Sequence, residues 1–149
     1  MTSENDRNRV LAVARTWLGT PYHPGGRVKG AGCDCLTLLA EVYSEAGVLP
    51  RLHIPYYPRD WHLHRGAERY MEGVLQYAHE ITHTPQPGDI ALWKFGRCYS
   101  HGAIVVEWPR IIHAYCGRAC TQEDASSARW LSCMEQSGKP RPVKFFSVF

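Results

Sequence analysis

The sequence contains no hydrophobic run long enough to span a membrane. Its longest apolar runs, such as Ala103–Val106, have the length of a strand, whereas a membrane helix needs about 20 apolar residues. Internal repeats and low-complexity tracts are also absent, which excludes solenoid and fibrous architectures. With 44% hydrophobic and 21% charged residues in a chain of 149, the composition predicts a single globular domain over residues 1–149.

Blocks of like charge are missing as well. The chain has 17 Lys and Arg against 14 Asp and Glu, and its net charge of +3 is scattered, which does not favour nucleic-acid binding. The N-terminal residues Met1–Asp6 show no charged-then-apolar leader, so we expect synthesis in the cytoplasm without a signal peptide. In a reducing compartment the six cysteines are expected to be mostly free thiols.

Hydrophobic periodicity divides the chain into a helical first half and a strand-rich second half. Helical spacing predicts helices over about 4–18, 34–46 and 67–81, with a glycine-rich loop over 19–32. Segments rich in Ile, Val and Trp predict strands over 89–94, 101–107, 110–115 and 143–149, whereas 119–131 is ambiguous, with a short helix as one interpretation. Helices followed by strands indicate an α+β fold rather than alternating βαβ units.

One cysteine has a distinctive position. Cys35 follows the glycine-rich loop and falls in the first turn of the second predicted helix. Unpaired backbone N–H groups and the positive end of the helix dipole stabilise a thiolate there, so we expect a thiol pKa below the ~8.5 of a free cysteine. A small buried hydrophobe also suits this position, and that alternative stays open.

Two histidines are candidates for a base and its orienting partner. His101 and His113 are 12 residues apart on neighbouring predicted strands, on either side of Trp108-Pro109. Directly opposed residues of an antiparallel hairpin share a face, which would bring the two imidazoles together. That pairing requires a connecting loop of three or five residues, whereas a two-residue loop at Trp108-Pro109 would put the rings on opposite faces. Two unrelated half-buried histidines are the alternative.

Five short motifs occur in a fixed order between Trp17 and about Tyr115. They are Gly19-Thr20-Pro21-Tyr22, Gly32-Cys33-Asp34-Cys35-Leu36, Pro87-Gly88-Asp89-Ile90, Ser100-His101 and Ile112-His113-Ala114. In order and spacing they resemble the NlpC/P60 family of cysteine peptidases. More narrowly, Val28–Cys35 and His113-Ala114-Tyr115 resemble the branch found in phage tails, prophages and gene-transfer agents.

This resemblance implies a papain-like α+β fold in which N-terminal helices pack on an antiparallel sheet. It implies Cys35 as the nucleophile, His101 as the general base and His113 as the third, orienting residue. Tyr22 and Asp34 match positions that contact substrate in the family, although a buried loop anchor and a helix N-cap are their respective alternatives. It implies no metal or other cofactor, and the cysteine spacing lacks the CxxC pairs typical of structural zinc sites.

The implied activity is hydrolysis of amide bonds, of D-glutamyl type, in the peptide stems of peptidoglycan. Leu36-Thr37 stand where the family usually has Ser-Gly, which keeps a thiol amidase or acyltransferase of the same fold open. A structural tail-tip or assembly protein with little activity is a further alternative.

The partners expected from the resemblance are the peptidoglycan peptide and phage-tail proteins, without nucleic acid or a membrane span. The expected location is a virion tail or, after delivery, the periplasm or cell wall. The sequence suggests two apolar docking segments, one around Tyr56, Tyr57 and Trp61 and one at Phe145-Phe146, with simple core packing as the alternative for each.

Overall fold

The structure, a computed structural model, describes residues 3–54, 69–134 and 137–149. The helices of this part are α1 (Ser3–Thr16), α2 (Cys35–Glu45), α3 (Arg69–Leu75) and α4 (Arg129–Ser132). The strands are β1 (Arg27–Val28), β2 (Gly32–Cys33), β3 (His79–Ile81), β4 (Ile90–Phe95), β5 (Cys98–Glu107), β6 (Arg110–His113), β7 (Thr121–Asp124) and β8 (Val143–Ser147).

Six of the strands form one antiparallel sheet. Its strand order is β3-β8-β4-β5-β6-β7, and every neighbouring pair runs antiparallel. The short strands β1 and β2 form a separate ribbon directly before α2. The predicted α+β class, with helices packed on an antiparallel sheet, is confirmed.

Both faces of the sheet are buried, which explains why its central strands are continuous apolar runs. On one face α1 and α2 pack through Val10, Leu11, Ala14, Leu38, Leu39, Val42 and Tyr43 against Ile90, Leu92, Ile104, Val106, Ile112 and Phe146. The opposite face buries Ala91, Trp93, Ala103, Val105, Ile111, Ala125 and Leu131. We call these the helix face and the tryptophan face. Among the described residues, no helix has the length and apolar character to cross a bilayer.

The motif Pro87–Ile90 holds the first two helices to the sheet. Arg7 Nη1 of α1 lies 2.8 Å from Asp89 Oδ1, and both side chains are largely buried. The Tyr43 hydroxyl of α2 donates to the carbonyl of Gly88 at 2.7 Å. This motif therefore has a structural explanation in the fold, since a buried carboxylate requires such a partner.

Two predicted segments differ from the structure. The helix predicted over 67–81 is wrong at its C-terminal end, because α3 ends at Leu75 and His79–Ile81 forms β3. There the backbone groups of β8 pair with β3, and this tertiary pairing overrides the local helical pattern. The ambiguous segment 119–131 contains both a strand, β7, and the start of α4.

The two suggested docking segments have different outcomes. Phe146 is fully buried on the helix face, whereas Phe145 is partly buried and packs edge-on against Trp108 on the tryptophan face. Phe146 therefore stabilises the core, and docking through this segment stays a prediction. The segment around Tyr56, Tyr57 and Trp61 lies outside the described residues.

The hairpin between β5 and β6 combines a two-residue turn with a β-bulge. Glu107 pairs with Arg110 across Trp108-Pro109, whereas further along Val105 pairs with Ile111 and Ile104 with Ile112. The extra residue is Val106, and it shifts the register by one position. A two-residue turn alone would put His101 and His113 on opposite faces, but the bulge returns them to one face.

A close approach at Gly102 generates a prediction about stability. A Cβ atom at Gly102 would lie 2.9 Å from Cζ of Tyr70 and 3.0 Å from Cδ2 of Leu92. We expect Gly102→Ala to lower the free energy of unfolding by about 1–3 kcal/mol, measured by urea denaturation.

Gly73 of α3 is the matched control, because a Cβ atom there meets nothing within 4 Å. Gly73→Ala should raise the free energy of unfolding by up to about 1 kcal/mol through its better helix propensity. Equal effects of the two substitutions would contradict the close packing at Gly102.

Candidate active site

Asp34 determines how α2 begins. Its Oδ1 atom accepts hydrogen bonds from the N–H groups of Leu36 and Thr37, both at 2.9 Å. In return, Thr37 Oγ1 accepts from the Asp34 N–H at 2.8 Å, which completes a capping box. The other carboxylate oxygen accepts from the N–H of Gly25 at 2.8 Å. Cys35 is thereby held as the first residue of the helix, as the sequence predicted.

The Cys35 thiol contacts the backbone of β5. Its Sγ donates to the carbonyl of Ser100 at 3.6 Å. Burial, with a further contribution from the Asp34 carboxylate, raises the pKa of the thiol to about 12, although the Gly102 N–H and the Tyr70 hydroxyl act in the opposite direction. The expected low pKa is therefore wrong for the free protein. Desolvation at this position outweighs the favourable field of the helix start.

The two candidate histidines are joined by a hydrogen bond. His101 Nε2 lies 2.8 Å from His113 Nδ1, and the side chains are almost completely buried on β5 and β6. The register places Ala103 opposite His113, so the two rings are diagonal neighbours and not directly opposed. The prediction that both imidazoles lie together on one face is confirmed, with His101 two residues from the position directly opposite His113.

Aromatic rings enclose this histidine pair on the tryptophan face. The rings within about 6 Å of His101 or His113 are Trp93, Phe95, Tyr115 and Trp130. Burial lowers the pKa of His101 well below its usual 6.5, and proximity to His113 lowers it further. His101 is consequently a neutral imidazole at neutral pH and has a free lone pair.

Glu123 is a residue of this cluster that sequence reasoning missed. Its Oε2 lies 3.1 Å from His113 Nε2 and 3.6 Å from Arg118 Nη1. The first distance is within hydrogen-bond range, but the N–H of His113 is not well aligned with the oxygen. Burial lowers the pKa of His113, and the Glu123 carboxylate opposes that shift. The polar sequence Thr121–Asp124 carries no alternation that would have identified its inward-facing residues.

Cys35 and His101 approach β5 from opposite sides. Cys35 packs with the helix-face core, whereas His101 lies across from Trp93 on the tryptophan face. The thiol has its hydrogen bond at the carbonyl of Ser100, the residue that precedes His101 in β5. Within the described residues no hydrogen bond joins the thiol directly to the ring of His101. Because Nε2 is bonded to His113, the Nδ1 atom of His101 is the nitrogen that remains for a proton from the thiol.

The two candidate substrate-binding residues lie close to the start of α2. Tyr22 forms an isolated bridge with Cys33 and packs against the helix-face core. Asp34 has the capping role that the sequence left as its alternative. Their contacts with substrate stay predictions. In the described part of the chain, no three His, Cys, Asp or Glu side chains are grouped so that they could share a metal ion.

Removing the charge of Asp34 should make Cys35 more reactive. Asparagine caps a helix about as well as aspartate, so Asp34→Asn keeps an oxygen for the cap of α2 and removes the charge that opposes the thiolate, at the cost of the hydrogen bond from Gly25. We expect a roughly three- to tenfold faster alkylation of Cys35 by iodoacetamide at about pH 8.

Alkylation is followed by peptide mass spectrometry, with the exposed thiol of Cys116 as the internal reference. An unchanged ratio of Cys35 to Cys116 labelling would show that the carboxylate does not control the thiol. A lowered ratio would contradict the predicted sign.

Comparisons with known proteins place this geometry in a recognised fold. No protein-family model and no curated protein sequence matches the chain. Among solved structures, the NlpC/p60 domain of the peptidoglycan hydrolase SagA matches with a TM-score of 0.58 and 17% identity, over 93% of this chain and 96% of that domain. The peptidoglycan hydrolase RipB from Mycobacterium tuberculosis matches with a TM-score of 0.61 and 14% identity, over 99% of this chain and 66% of RipB.

A third similar structure is a protein without catalysis. RipD from Mycobacterium tuberculosis, described as a non-catalytic NlpC/p60 domain protein adapted to peptidoglycan binding, matches with a TM-score of 0.57 and 13% identity, over 97% of this chain and 98% of RipD. In several further matches the chain spans half or less of the similar protein. At these identities the similarity concerns the fold, and the chain has the fold of the NlpC/P60 domains.

Proposed function

We propose that this protein is a cysteine peptidase that hydrolyses amide bonds in the peptide stems of peptidoglycan, as a D-glutamyl endopeptidase of the NlpC/P60 family. The observation that carries the proposal is the buried 2.8 Å hydrogen bond between His101 and His113. His101 lies on β5, the strand that the Cys35 thiol contacts. Burying two polar rings among aromatic side chains has a desolvation cost, which favours a functional explanation for the pair. The fold shared with peptidoglycan hydrolases supports the substrate class.

In the proposed reaction, the proton of Cys35 Sγ passes to Nδ1 of His101 as the sulfur attacks the substrate. The sulfur forms a bond to the substrate carbonyl carbon, and the carbonyl oxygen becomes an oxyanion. Collapse of this intermediate breaks the C–N bond, and the amine leaves with the proton from His101. Water, deprotonated by the same imidazole, then attacks the thioester, and the released thiol recovers its proton.

The helix start offers few backbone N–H groups that could hold the oxyanion. The N–H groups of Leu36 and Thr37 already donate to Asp34, so the Cys35 N–H is the donor that this part of the chain provides. The raised pKa of the thiol and the lowered pKa of His101 make the resting pair neutral. The proton therefore moves during the attack and not before it.

Two alternatives retain specific support. RipD shows that this fold occurs without catalysis, and the Cys35 thiol here donates its hydrogen bond to the carbonyl of Ser100. A peptidoglycan-binding or tail-assembly protein is therefore the second candidate. A thiol amidase or acyltransferase is the third. Of the two unusual residues after the nucleophile, Thr37 is explained by the capping box, so Leu36 is the position that alters the surroundings of Cys35.

Delivery by a phage tail or a related injection device is part of the proposal. It is supported by the resemblance of Val28–Cys35 and His113–Tyr115 to the tail-associated branch, and it supplies a route to the cell wall. Fractionating tail particles and probing them for this chain tests it. A chain that is absent from every particle, and that turns over a free cytoplasmic substrate, would overturn it.

The first test of activity is cleavage of purified muropeptides. Wild-type protein should release fragments whose masses locate the cleaved amide bond, whereas Cys35→Ala should lose more than about 10³-fold in rate because the nucleophile is absent. Cys116→Ala, which removes an exposed thiol elsewhere, should leave the rate unchanged.

The outcomes separate the candidate functions. Binding of muropeptides without cleavage by wild-type protein would favour the second candidate. Transfer of the acyl group to an added amine in preference to water would favour the third.

The two histidines should differ in their contributions. His101→Ala removes the base and should lower kcat by about 10²–10⁴-fold. His113→Asn should retain part of the activity, because its amide oxygen can still accept a hydrogen bond from His101 Nε2. His113→Ala, which lacks that acceptor, is the control and should be less active than His113→Asn. The reverse order of the two His113 variants would argue against an orienting role.

A further inference from the structure

We infer that Glu123 is a positioning residue that selects the tautomers of both histidines and thereby leaves the lone pair of His101 on Nδ1, where the thiol proton must go. This inference rests on the proposed function for its catalytic consequence. Its structural content concerns the free protein alone.

Three adjacent strands each contribute one side chain to a continuous polar chain. His101 lies on β5, His113 on β6 and Glu123 on β7. Glu123 is registered opposite Ile111, so it lies on the same face as His113 and diagonal to it. A side chain as long as glutamate reaches across this diagonal, which accounts for the 3.1 Å approach to Nε2.

The burial of His113 makes this carboxylate decisive. His113 is fully buried, and its Nε2 has no aligned hydrogen-bond partner among the described residues. Leaving a buried N–H unpaired is costly, so the carboxylate oxygen at 3.1 Å favours the tautomer with its proton on Nε2.

One proton position then determines the next. With its proton on Nε2 facing Glu123, His113 presents a lone pair on Nδ1. His101 Nε2, at 2.8 Å, must then donate, and a neutral His101 retains its lone pair on Nδ1. In the opposite arrangement His113 Nδ1–H donates to His101 Nε2, and the proton of His101 occupies the nitrogen that should accept from Cys35.

Arg118 lies beside the Glu123 carboxylate, at the outer end of this series of side chains. Its Nη1 lies 3.6 Å from Glu123 Oε2, and its guanidinium carbon is 5.6 Å from the Trp130 ring on which His113 stacks. An ionised carboxylate accepts hydrogen bonds and donates none. The carboxylate at the outer end therefore determines which nitrogen carries the proton in each of the two rings.

The test is ¹⁵N NMR of the histidine rings in the full-length protein, together with kinetics on muropeptides. Wild-type protein should show Nε2–H tautomers at both His101 and His113, assigned with His101→Asn and His113→Asn variants. Glu123→Leu, which removes the acceptor, should move the proton of each ring to Nδ1. Its kcat should fall by about 100-fold or more, with KM within about twofold.

Two further variants provide the comparison. Glu123→Gln keeps an oxygen that can accept from Nε2–H, so it should retain the wild-type tautomers and lose less than about tenfold in kcat. Glu107→Leu removes an exposed acid of the same hairpin, 74% exposed in its side chain, and should change neither readout.

Each outcome decides the inference. Nδ1–H tautomers in wild-type protein overturn it, whether or not the Glu123 variants fold. Unchanged tautomers and unchanged kcat in a folded Glu123→Leu protein also overturn it. If wild-type protein cleaves no muropeptide, the proposed function fails, and the tautomers of the wild-type and variant proteins still decide the role of Glu123.

Discussion

The register of the β5–β6 hairpin depends on one inserted residue, and the candidate site depends on that register. Because side chains alternate across a strand, a two-residue turn without a bulge would place His101 and His113 on opposite faces of the sheet. Val106 supplies the extra position, and its own side chain remains in the helix-face core. The insertion therefore leaves the core intact while bringing the two rings together. Glu123 contacts His113 through the register of β6 with β7, and the bulge adds His101 to that pair.

The two sides of β5 give Cys35 and His101 different surroundings. On the helix face, burial and the Asp34 carboxylate raise the pKa of the Cys35 thiol, whereas on the tryptophan face burial lowers the pKa of His101. Both shifts favour the uncharged form of the group, so the structure favours a neutral thiol and a neutral imidazole over a thiolate–imidazolium pair.

Local patterns in the sequence predicted what depends on local structure. The helix start at Cys35 followed from a loop, a capping aspartate and an apolar stripe, and the pairing of the histidines followed from two short strands. The prediction of a lowered pKa for the Cys35 thiol was wrong, because the desolvation that raises it comes from residues that the fold brings together. No local spacing in the sequence reveals that burial. Glu123 was missed for the same reason, since its position depends on how β7 pairs with β6 and its role on His101, which lies two strands away on β5. The predicted helix over 67–81 was too long because pairing with β8 is a tertiary contact.

Asp34 also connects two parts of the chain that are separate in sequence. One carboxylate oxygen caps α2, and the other holds the N–H of Gly25 in the preceding glycine-rich loop. The loop and the first turn of α2 are therefore joined through a single side chain that is itself buried. A change that displaces the loop near Gly25 therefore also disturbs the cap of α2. The length of the loop and the position of the first turn, which carries Cys35, are coupled through this one carboxylate.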